Sequence, residues 1–388
     1  MRRYRVGHVI TRLCVGGAQE NTFHTVRLAD RARFDVDLIS GPTEGPEGSI
    51  EPEIEKAGIE ILRVPHLVRP VAPQKDWRAL KELTALFRER NYDIVHTHTS
   101  KAGLLGRLAA RRAGVPAVVH TPHGHVFDGY FSKPVTRIFI ACERYAAKRT
   151  DRLIALTQHG LQDHLEQRVG RLDQWTVIFS GIDLSPFKEA RLRRKGTRSA
   201  LGVGPDDILI GGVGRFEHVK GFTYFVEAAK AIAEVLPQAC FVLAGDGSLA
   251  RVLHEQARPL GERFIFLGWR GDIPDLMAAL DIFVLPSLNE GMGRVLLEAA
   301  AAGVPAVASY VGGVPEVVHE GETGYLVPPG ESQAIAEKVL LLVRDTKLRT
   351  RMGAKAKERV APYYGLEKMV ERIEALYKVL MDEKRIDS

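Results

Sequence analysis

The stretch Leu285-Pro-Ser-Leu-Asn-Glu-Gly-Met-Gly-Arg-Val-Leu-Leu-Glu298 joins two apolar segments of different character. Ahead of it, Asp281–Pro286 is a short apolar run ended by a proline, which is typical of a strand buried on both faces. After it, Arg294–Ala302 is rich in Leu, Ala and Glu and stops at Gly303-Val-Pro305, as a helix does. The stretch is therefore predicted to be a strand-to-helix junction.

The centre of this junction, Glu290-Gly-Met-Gly293, favours a phosphate ligand. Its glycines let a ligand approach the backbone, and the amides of a helix N-terminus attract anions. Glu290 and Glu298 are about 12 Å apart if the segment is helical throughout, and carboxylates accept hydrogen bonds from hydroxyls on either side of such a phosphate. An isolated Glu-x7-Glu pair is usually a loop charge and a solvated helix residue, but this pair brackets a glycine turn. We therefore predict a sugar nucleotide as the ligand.

Composition limits the class of protein. The chain has 388 residues, which suits two domains, and its net charge of +6 agrees with anionic ligands or an anionic membrane surface. Its basic residues are dispersed without interleaved aromatics, so we expect no nucleic-acid partner. The three cysteines follow no metal-binding pattern and are typical of a reducing cytosol. No signal peptide and no apolar span of about 20 residues is recognisable, so we expect a cytoplasmic protein, at most peripheral to a membrane.

Strand and helix patterns alternate twice along the chain, which predicts two parallel sheets covered by helices. The strand candidates are Arg5–Ile10, Asp35–Ser40, Gly58–Arg63, Asp93–His98, Ala117–His120, Arg152–Leu156, Trp175–Ile178, Ile208–Val213, Phe241–Ala244, Arg263–Leu267, Asp281–Leu285 and Ala306–Ala308. We expect an α/β protein of two facing, doubly wound Rossmann-like domains with the ligand cleft between them.

The expected boundaries follow the same patterns. Residues 1–185 are expected to form an N-terminal Rossmann-like domain and residues 206–365 a C-terminal one. Residues 186–205 are basic and polar with little apolar periodicity, which predicts a linker. The last segment, 366–388, is predicted to be a helix that packs back toward the N-terminal domain, because its apolar residues recur at helical spacing.

Two further glycine turns follow predicted strands. Gly16-Gly17 opens the first helix and can present amides to a phosphate, although such a pair is often only a tight connection. Gly214–Gly221 carries Arg215 and Lys220 after the first strand of the second domain. Two cations at such a turn can hold a diphosphate leaving group in place of a metal ion.

Five histidines fall within 30 residues and leave two interpretations open. They are His96, His98, His120, His123 and His125. A zinc hydrolase is one possibility, although no carboxylate or cysteine shares the cluster at ligand spacing. We prefer the other, in which His123 points toward the ligand while His96 and His120 are partly structural; His98 and His125 are left unassigned.

Asp35-Val-Asp37 matches the Asp-x-Asp pattern that holds a metal and a diphosphate in some sugar-transfer enzymes. Both aspartates fall at the start of a predicted strand, whereas ligands bind at the carboxyl ends of parallel strands. We therefore predict a structural role for them and no metal.

The motifs taken in order resemble the family-4 retaining glycosyltransferases, which have the GT-B fold. The resemblance extends over nearly the whole chain. Its residues are Gly16-Gly17-Ala18, His120-Thr-Pro-His-Gly-His125, Ser180-Gly-Ile-Asp183, Gly214-Arg215, Lys220-Gly221, Gly245-Asp-Gly247, Glu290 to Glu298, Gly312-Gly-Val-Pro-Glu316 and Gly324-Tyr-Leu-Val327. Ser180 and Ser248 depart from the family's usual Asn and Pro, which bears only on local loop geometry.

The resemblance implies a role for each site residue. Glu298 would hold the donor ribose, Glu290 the hydroxyls of the transferred sugar, and Arg215 and Lys220 the diphosphate. His123 matches the family's histidine beside the reacting sugar. Gly17 would complete the diphosphate site from the N-terminal domain. The other donor-binding positions are Trp269 and Arg270 near the nucleobase, and Gly291, Met292, Gly293 and Arg294 at the helix amides.

The predicted function is retaining, metal-independent transfer of a hexose from a UDP- or GDP-sugar to a glycan, glycolipid or small molecule, as in cell-surface polysaccharide biosynthesis. No cofactor is implied. A nucleotide-sugar epimerase, a zinc hydrolase and a non-catalytic sugar-nucleotide binding protein are the alternatives.

The segment after His123 bears on the acceptor. Its apolar residues, Phe127, Tyr130, Phe131 and Ile138–Ile140, are interspersed with Lys133, Arg137, Arg144, Lys148 and Arg149. It is either a surface facing lipid head groups, which would make the protein peripheral to a membrane, or an amphipathic helix packed on its own sheet.

Overall fold

The chain forms two compact units in a computed structural model that describes residues 3–45, 48–124 and 132–386, with side chains to 384. The first unit comprises Met1–Gly181 and Leu366–Ser388, and the second comprises Ile182–Gly365. The residues His125, Phe127, Tyr130 and Phe131 singled out from the sequence lie outside the described residues.

The described part of the first unit contains a seven-stranded parallel sheet. Its strands are β1 (Tyr4–Ile10), β2 (Phe34–Ser40), β3 (Ile61–Arg63), β4 (Ile94–His98), β5 (Ala117–Thr121), β6 (Arg152–Ala155) and β7 (Trp175–Val177). Its helices before the second unit are α1 (Gly17–Leu28), α2 (Glu51–Lys56), α3 (Pro73–Arg90), α4 (Ser100–Ala113), α5 (Lys133–Ala147) and α6 (Gln158–Glu166). The strand order is β3-β2-β1-β4-β5-β6-β7, so the winding reverses between β1 and β4.

This sheet is covered on both faces, as the continuous apolar runs of its strands require. One core includes Val6 and Ile10 of β1 and residues of α1. The other, with Val9 and Val95, includes residues of α3 and α4. Successive residues of a strand thus enter opposite cores.

The described part of the second unit contains a six-stranded parallel sheet. Its strands are β8 (Ile208–Val213), β9 (Ala239–Ala244), β10 (Phe264–Phe266), β11 (Ile282–Leu285), β12 (Ala306–Ser309) and β13 (Gly324–Val327). Its helices are α7 (Ser185–Ala200), α8 (Phe222–Val235), α9 (Ala250–Ala257), α10 (Ile273–Ala279), α11 (Arg294–Ala301), α12 (Val314–Val317), α13 (Ser332–Arg344) and α14 (Thr346–Tyr364). The order β10-β9-β8-β11-β12-β13 reverses between β8 and β11. The prediction of two doubly wound parallel sheets is therefore confirmed.

The segment expected to be a linker, 186–205, is largely helix α7, which packs on α10. Arg194 donates to Asp281 at 2.7 Å and the buried Arg198 donates to the other oxygen of Asp281 at 3.0 Å. The basic residues that suggested a solvated linker thus anchor the helix. The second unit begins at Ile182, four residues before the expected linker.

Helix α15 (Leu366–Ile386) belongs to the first unit and packs on α1. Its buried stripe includes Met369, Ile373 and Tyr377. Glu374 of α15 accepts the backbone N–H of Asp30, two residues after the C-terminal end of α1, at 2.7 Å. The last helix of the chain is therefore part of the core of the first unit.

Within the described residues, no helix combines the length and the apolar character needed to span a lipid bilayer.

Candidate functional site

The site in the second unit lies where the strand order reverses. Strands β8 and β11 are neighbours, with Ile210 paired to Ile282. The loops after them leave in opposite directions around the sheet, and the crevice outside such a switch point is where doubly wound sheets bind ligands. The loop after β8 is Gly214–Gly221, and the loop after β11 is Pro286–Gly293.

Lys220 and Glu290 join these two loops. The Lys220 ammonium lies 2.6 Å from a Glu290 carboxylate oxygen, to which Ser287 Oγ also donates at 3.0 Å. Both charged side chains are largely buried, with 20% and 13% of their surfaces exposed. Residues 70 positions apart in sequence thus form a neutral, partly desolvated pair at the switch point.

Two glycines make this approach of backbones sterically feasible. Gly221 follows Lys220 with φ 65, and a Cβ there would lie 2.1 Å from the carbonyl oxygen of Pro286. Gly312, with φ 50, would place a Cβ 1.8 Å from the carbonyl oxygen of Glu290. Neither position accepts a side chain without moving the loop that carries Glu290. The backbone N–H of Leu288 also donates to the carbonyl of Val219 at 2.8 Å.

Helix α11 begins directly after the Glu290 loop. Gly293 caps it in a left-handed conformation with φ 73, and no side chain caps its first amides. Met292 is buried, Gly291 is exposed, and Glu298 is half-buried on the helix. The structure thus places Glu290 in the loop before α11 and Glu298 on the helix, so the segment between the two carboxylates is helical only from Arg294.

The remaining predicted donor residues of this unit lie on neighbouring loops. Arg215 is exposed in the loop after β8, two residues from Glu217, which accepts hydrogen bonds from Ser248. Trp269 is 57% exposed after β10, and Arg270 donates to Asp272 at 2.7 Å. The backbone N–H of Gly245 donates to Gly268 at 2.7 Å, which joins the loops after β9 and β10.

In the first unit, Gly17 is the first residue of α1, whose N-terminal amides follow β1. His123 follows β5 and has φ 60, an uncommon backbone conformation for a residue other than glycine. Its Nε2 lies 2.8 Å from Nδ1 of His98.

His123 is hydrogen-bonded to a chain of side chains that crosses the core of the first unit. His98 Nε2 is 3.0 Å from His8 Nδ1, and His8 Nε2 is 3.2 Å from the hydroxyl of Tyr377. That hydroxyl is 2.6 Å from His96 Nδ1, and His96 Nε2 is 2.8 Å from Thr121 Oγ1. His8 stands beside His96 because β1 and β4 pair in that register.

Burial keeps the imidazoles of His8, His96 and His98 neutral. It lowers the pKa of His8 to about 3, with a smaller effect from the Arg31 charge, and holds the pKa of His96 and of His98 well below the usual value. Burial also raises the pKa of Tyr377 well above its usual range. His120 is buried separately, against Thr97 and Glu143, and burial lowers its pKa well below the usual value.

The chain was compared with known proteins by sequence and by structure. The family description "Glycosyl transferase 4-like domain" matches residues 16–181, and "Glycosyl transferases group 1" matches residues 194–359. The chain is 34% identical over 384 residues to the UDP-Gal:alpha-D-GlcNAc-diphosphoundecaprenol alpha-1,3-galactosyltransferase of Escherichia coli, covering 97% of both proteins. The chain belongs to the family-4 glycosyltransferases of the GT-B fold.

Other relatives of this glycosyltransferase are more distant. The N-acetyl-alpha-D-glucosaminyl L-malate synthase of Bacillus anthracis is 29% identical over 323 residues, covering 80% of this chain and 81% of the relative. The crystal structure of Anabaena HepE in complex with UDP-glucose has a TM-score of 0.82 and 25% identity, covering 97% of this chain and 99% of the other. WaaG, a glycosyltransferase involved in lipopolysaccharide biosynthesis, shares the fold, with a TM-score of 0.73 and 20% identity over 95% and 98% of the two chains. These relatives offer no support for an epimerase or a hydrolase.

A metal site can be tested against the glycosyltransferase's own residues. Among the described residues, potential ligand atoms of His8, His96 and His98 lie within 4.8 Å of one another. Their ring nitrogens are hydrogen-bonded, His8 and His98 to each other and the remaining nitrogens to Tyr377, Thr121 and His123. Asp35 and Asp37 are the second and fourth residues of β2, and Asp37 accepts the hydroxyl of Tyr92 at 2.6 Å. The hydrogen bonds of the histidines are thus already made within the protein.

Three residues that contribute hydrogen bonds to these clusters were not identified from the sequence. His8 stands alone in an apolar strand and gave no pattern, whereas Tyr377 was read only as part of a helix. Both became visible because strand pairing and the return of α15 bring them to His96. Ser287 was overlooked, although its place three residues before Glu290 is a signal that a search for local side-chain partners would have found.

We predict that the glycosyltransferase loses stability as the pH falls below about 6.5. The folded-state pKa values of His8, His96, His98 and His120 lie below that of unfolded histidine, so the unfolded chain binds more protons in this range. Each such histidine contributes a loss of up to about 1.4 kcal/mol per pH unit. For His8 the window runs from about 6.5 to about 3.

Urea unfolding at pH 7.5, 6.5 and 5.5 measures this loss. His8→Gln should reduce the slope between pH 6.5 and 5.5 by about 1 kcal/mol per unit, because unfolded histidine is only half protonated at pH 6.5. His159→Gln, at a side chain that is 51% exposed, should leave it unchanged. A free energy of unfolding that stays constant over this range would show that the buried histidines are protonated in the folded state.

Proposed function

We propose that this glycosyltransferase moves a hexose from a UDP-sugar to a sugar that is linked to a lipid diphosphate, with retention of the anomeric configuration and without a metal ion. The observation that carries the proposal is the Lys220–Glu290 pair at the switch point of the second sheet, beside the N-terminus of α11, which begins at the glycine cap Gly293. An anion-binding group and a hydroxyl-binding group are held side by side there.

Lys220 and Glu290 can exchange their contact with each other for contacts with a ligand. Without a ligand, Lys220 and Glu290 neutralise each other in a partly desolvated position. A ligand that separates them must give Lys220 an anion and Glu290 a hydrogen-bond donor, because an unpaired buried charge is costly. A nucleotide sugar does both, since its diphosphate adjoins a hexose that carries several hydroxyls.

The other residues complete the donor site in this proposal. Arg215 would share the diphosphate with Lys220, and the amides of Gly291–Arg294 would act on the same charge. Glu298, further along α11, would accept hydrogen bonds from the ribose hydroxyls. Trp269 and Arg270 would lie beside the nucleobase, and Met292 would support the helix N-terminus from the core.

The proposed mechanism requires no dedicated base. The leaving phosphate oxygen takes the proton of the acceptor hydroxyl on the face from which it departs, so the new bond has the configuration of the old one. Lys220, Arg215 and the helix amides stabilise the charge on the departing diphosphate. His123 is proposed to stand beside the reacting sugar.

The relatives support the choice of donor and acceptor. HepE binds UDP-glucose, and the Escherichia coli relative uses UDP-galactose and a lipid-diphosphate acceptor according to their names. Because the second of these covers 97% of both chains, we propose a UDP-hexose and an acceptor of the same chemical class.

The reaction itself tests the proposal. With UDP-galactose or UDP-glucose and a synthetic GlcNAc-diphospholipid, we expect a disaccharide whose anomeric proton shows the small coupling of an α linkage, and a rate unchanged by EDTA. Product NMR and release of UDP provide the two measurements. A β-linked product would contradict retention of configuration, and loss of activity in EDTA would contradict a metal-independent reaction. Conversion of the donor without any acceptor would contradict transferase activity.

One variant tests the role of Glu298 in the same assay, and a second variant is its control. Glu298→Gln should raise the KM for the donor about tenfold or more, because a hydrogen bond to a charged group contributes about 1.5–3 kcal/mol. Lys347→Ala, at an exposed position of the same unit, should leave both kcat and KM unchanged.

Helix α5 suggests how a lipid-linked acceptor is reached. Val135, Ile138 and Tyr145 are 38%, 64% and 49% exposed, and Arg137 and Arg144 are exposed beside them. The acidic residue of this helix, Glu143, is turned inward and pairs with the buried Arg107 at 2.7 Å. The outer face is therefore apolar and basic, and we propose that it contacts an anionic membrane surface, which makes the enzyme peripheral at the inner face of the membrane.

We predict that the protein co-sediments with vesicles containing anionic lipid at low salt and not with neutral vesicles. Ile138→Asp should weaken this binding at least several-fold, because it removes apolar contact and adds a repelled charge. Leu192→Asp, at an apolar residue of α7 that is 84% exposed, is the matched control. Sedimentation that is absent, or equal for both kinds of vesicle, would remove the membrane contact from the proposal.

A further inference from the structure

The hydrogen-bonded chain from Thr121 to His123 has a direction that can be worked out by counting protons. The chain runs Thr121, His96, Tyr377, His8, His98 and His123, with five contacts of 2.6–3.2 Å. The distances identify the pairs but not the donors. Each contact needs one proton, and each neutral imidazole and each hydroxyl supplies one.

The end at Thr121 decides the direction. Among the described residues, His96 Nε2 is the hydrogen-bond partner of the Thr121 hydroxyl, and Thr121 is buried. If His96 donated to it, the hydroxyl proton would be left in the core without an acceptor, which is unfavourable. Thr121 therefore donates to His96 Nε2, so the proton of neutral His96 is on Nδ1.

The remaining protons follow in order. His96 Nδ1–H donates to the hydroxyl of Tyr377, which then donates its single proton to His8 Nε2. His8 carries its proton on Nδ1 and donates to His98 Nε2, and His98 Nδ1–H donates to His123 Nε2. His123 is thus held as an acceptor at Nε2, and its own proton is on Nδ1.

We propose that Tyr377 on the C-terminal helix, acting through His8 and His98, fixes His123 as the neutral Nδ1–H tautomer, so that His123 meets the substrate as a hydrogen-bond donor and not as a base. This inference rests on the proposed function only in placing His123 beside the reacting sugar. Tyr377, His8 and His98 are positioning residues. The chain also accounts for the left-handed backbone of His123, because the bond to His98 offsets the cost of that conformation.

The chemical consequence concerns how His123 treats a sugar hydroxyl. A donor at Nδ1 can hold an oxygen of the transferred hexose in one orientation, whereas a bare Nδ1 would accept a proton and favour attack by a hydroxyl or by water. A retaining transfer requires no such base. A fixed donor thus suits transfer and disfavours hydrolysis of the nucleotide sugar.

The tautomers can be measured without any substrate. Long-range ¹H–¹⁵N correlation spectra of the full-length, ¹⁵N-histidine-labelled protein distinguish Nδ1–H from Nε2–H imidazoles. We expect His8, His96, His98 and His123 all in the Nδ1–H form, although free histidine in water prefers Nε2–H. Assignment uses single His→Gln variants. The Nε2–H form at His8, His96 or His98, or a doubly protonated ring, would overturn the direction derived above.

Tyr377→Phe tests the role of the chain in turnover. It keeps the ring in the core but separates His96 from His8, so His8, His98 and His123 should populate both tautomers. We expect kcat for transfer to fall about tenfold or more, with the KM for the donor changed less than about twofold, and the ratio of donor hydrolysis to transfer to rise. Tyr92→Phe is the matched control, because the hydroxyl of Tyr92 bonds Asp37 on another part of the sheet. An unchanged tautomer of His123 with unchanged kcat would refute the positioning role.

Two variants at His98 distinguish the effect of its hydrogen bonds from the effect of its packing. In His98→Gln the amide can accept from His8 and donate to His123, so kcat should stay close to that of the parent. His98→Phe fills the same space without these bonds and should behave like Tyr377→Phe. Equal kinetics for the two variants would contradict the proposal.

Two further outcomes distinguish a failure of this inference from a failure of the proposed function. If the parent protein transfers no sugar from any UDP-hexose, the proposed function fails while the tautomer spectra still decide the direction of the chain. If the purified protein holds zinc at about one ion per chain, and removing it shifts the resonances of His8, His96 and His98, those rings are ligands and the inference fails.

Discussion

The reversal of strand order between β8 and β11 is the constraint on which the proposed donor site depends. It sends two loops away from adjacent strand ends, and Lys220 and Glu290 meet across the space between them at 2.6 Å. The meeting requires glycine at 221 and 312, where a side chain would collide with the backbone of the opposite loop. Helix α11 then continues from the same junction, so a cation, a carboxylate and a helix N-terminus are positioned together by topology.

The first unit has the same kind of reversal in strand order, with different side chains at the switch point. Its winding reverses between β1 and β4, where His8 and His96 lie side by side. Helix α15, which returns from the end of the second unit, covers them and adds the hydroxyl of Tyr377. One switch point thus presents charged groups for a ligand, whereas the other contains buried neutral rings whose hydrogen bonds lead to His123.

The sequence predicted the two sheets because apolar runs and helical periodicities are local signals. Contacts between distant residues were less accessible. Residues 186–205 looked like a linker because their basic side chains gave no apolar stripe, yet Arg194 and Arg198 bind Asp281 and fold the segment as α7. The motif residues Glu290 and Lys220 were identified individually, but their pairing depends on the β8–β11 neighbourhood. His8 and Tyr377 carried no local signal, since only strand register and the docking of α15 bring them together.

The central claim is that a nucleotide sugar replaces the contact between Lys220 and Glu290, and calorimetric titration with UDP and with UDP-hexose tests it most directly. Lys220→Ala should weaken both ligands. Glu290→Gln removes the competing carboxylate, so UDP should bind at least as tightly as to the parent, while the additional affinity that the hexose provides is lost. If Glu290→Gln weakened UDP and UDP-hexose equally, or if Lys220→Ala left UDP binding unchanged, the exchange of partners at the switch point would be contradicted.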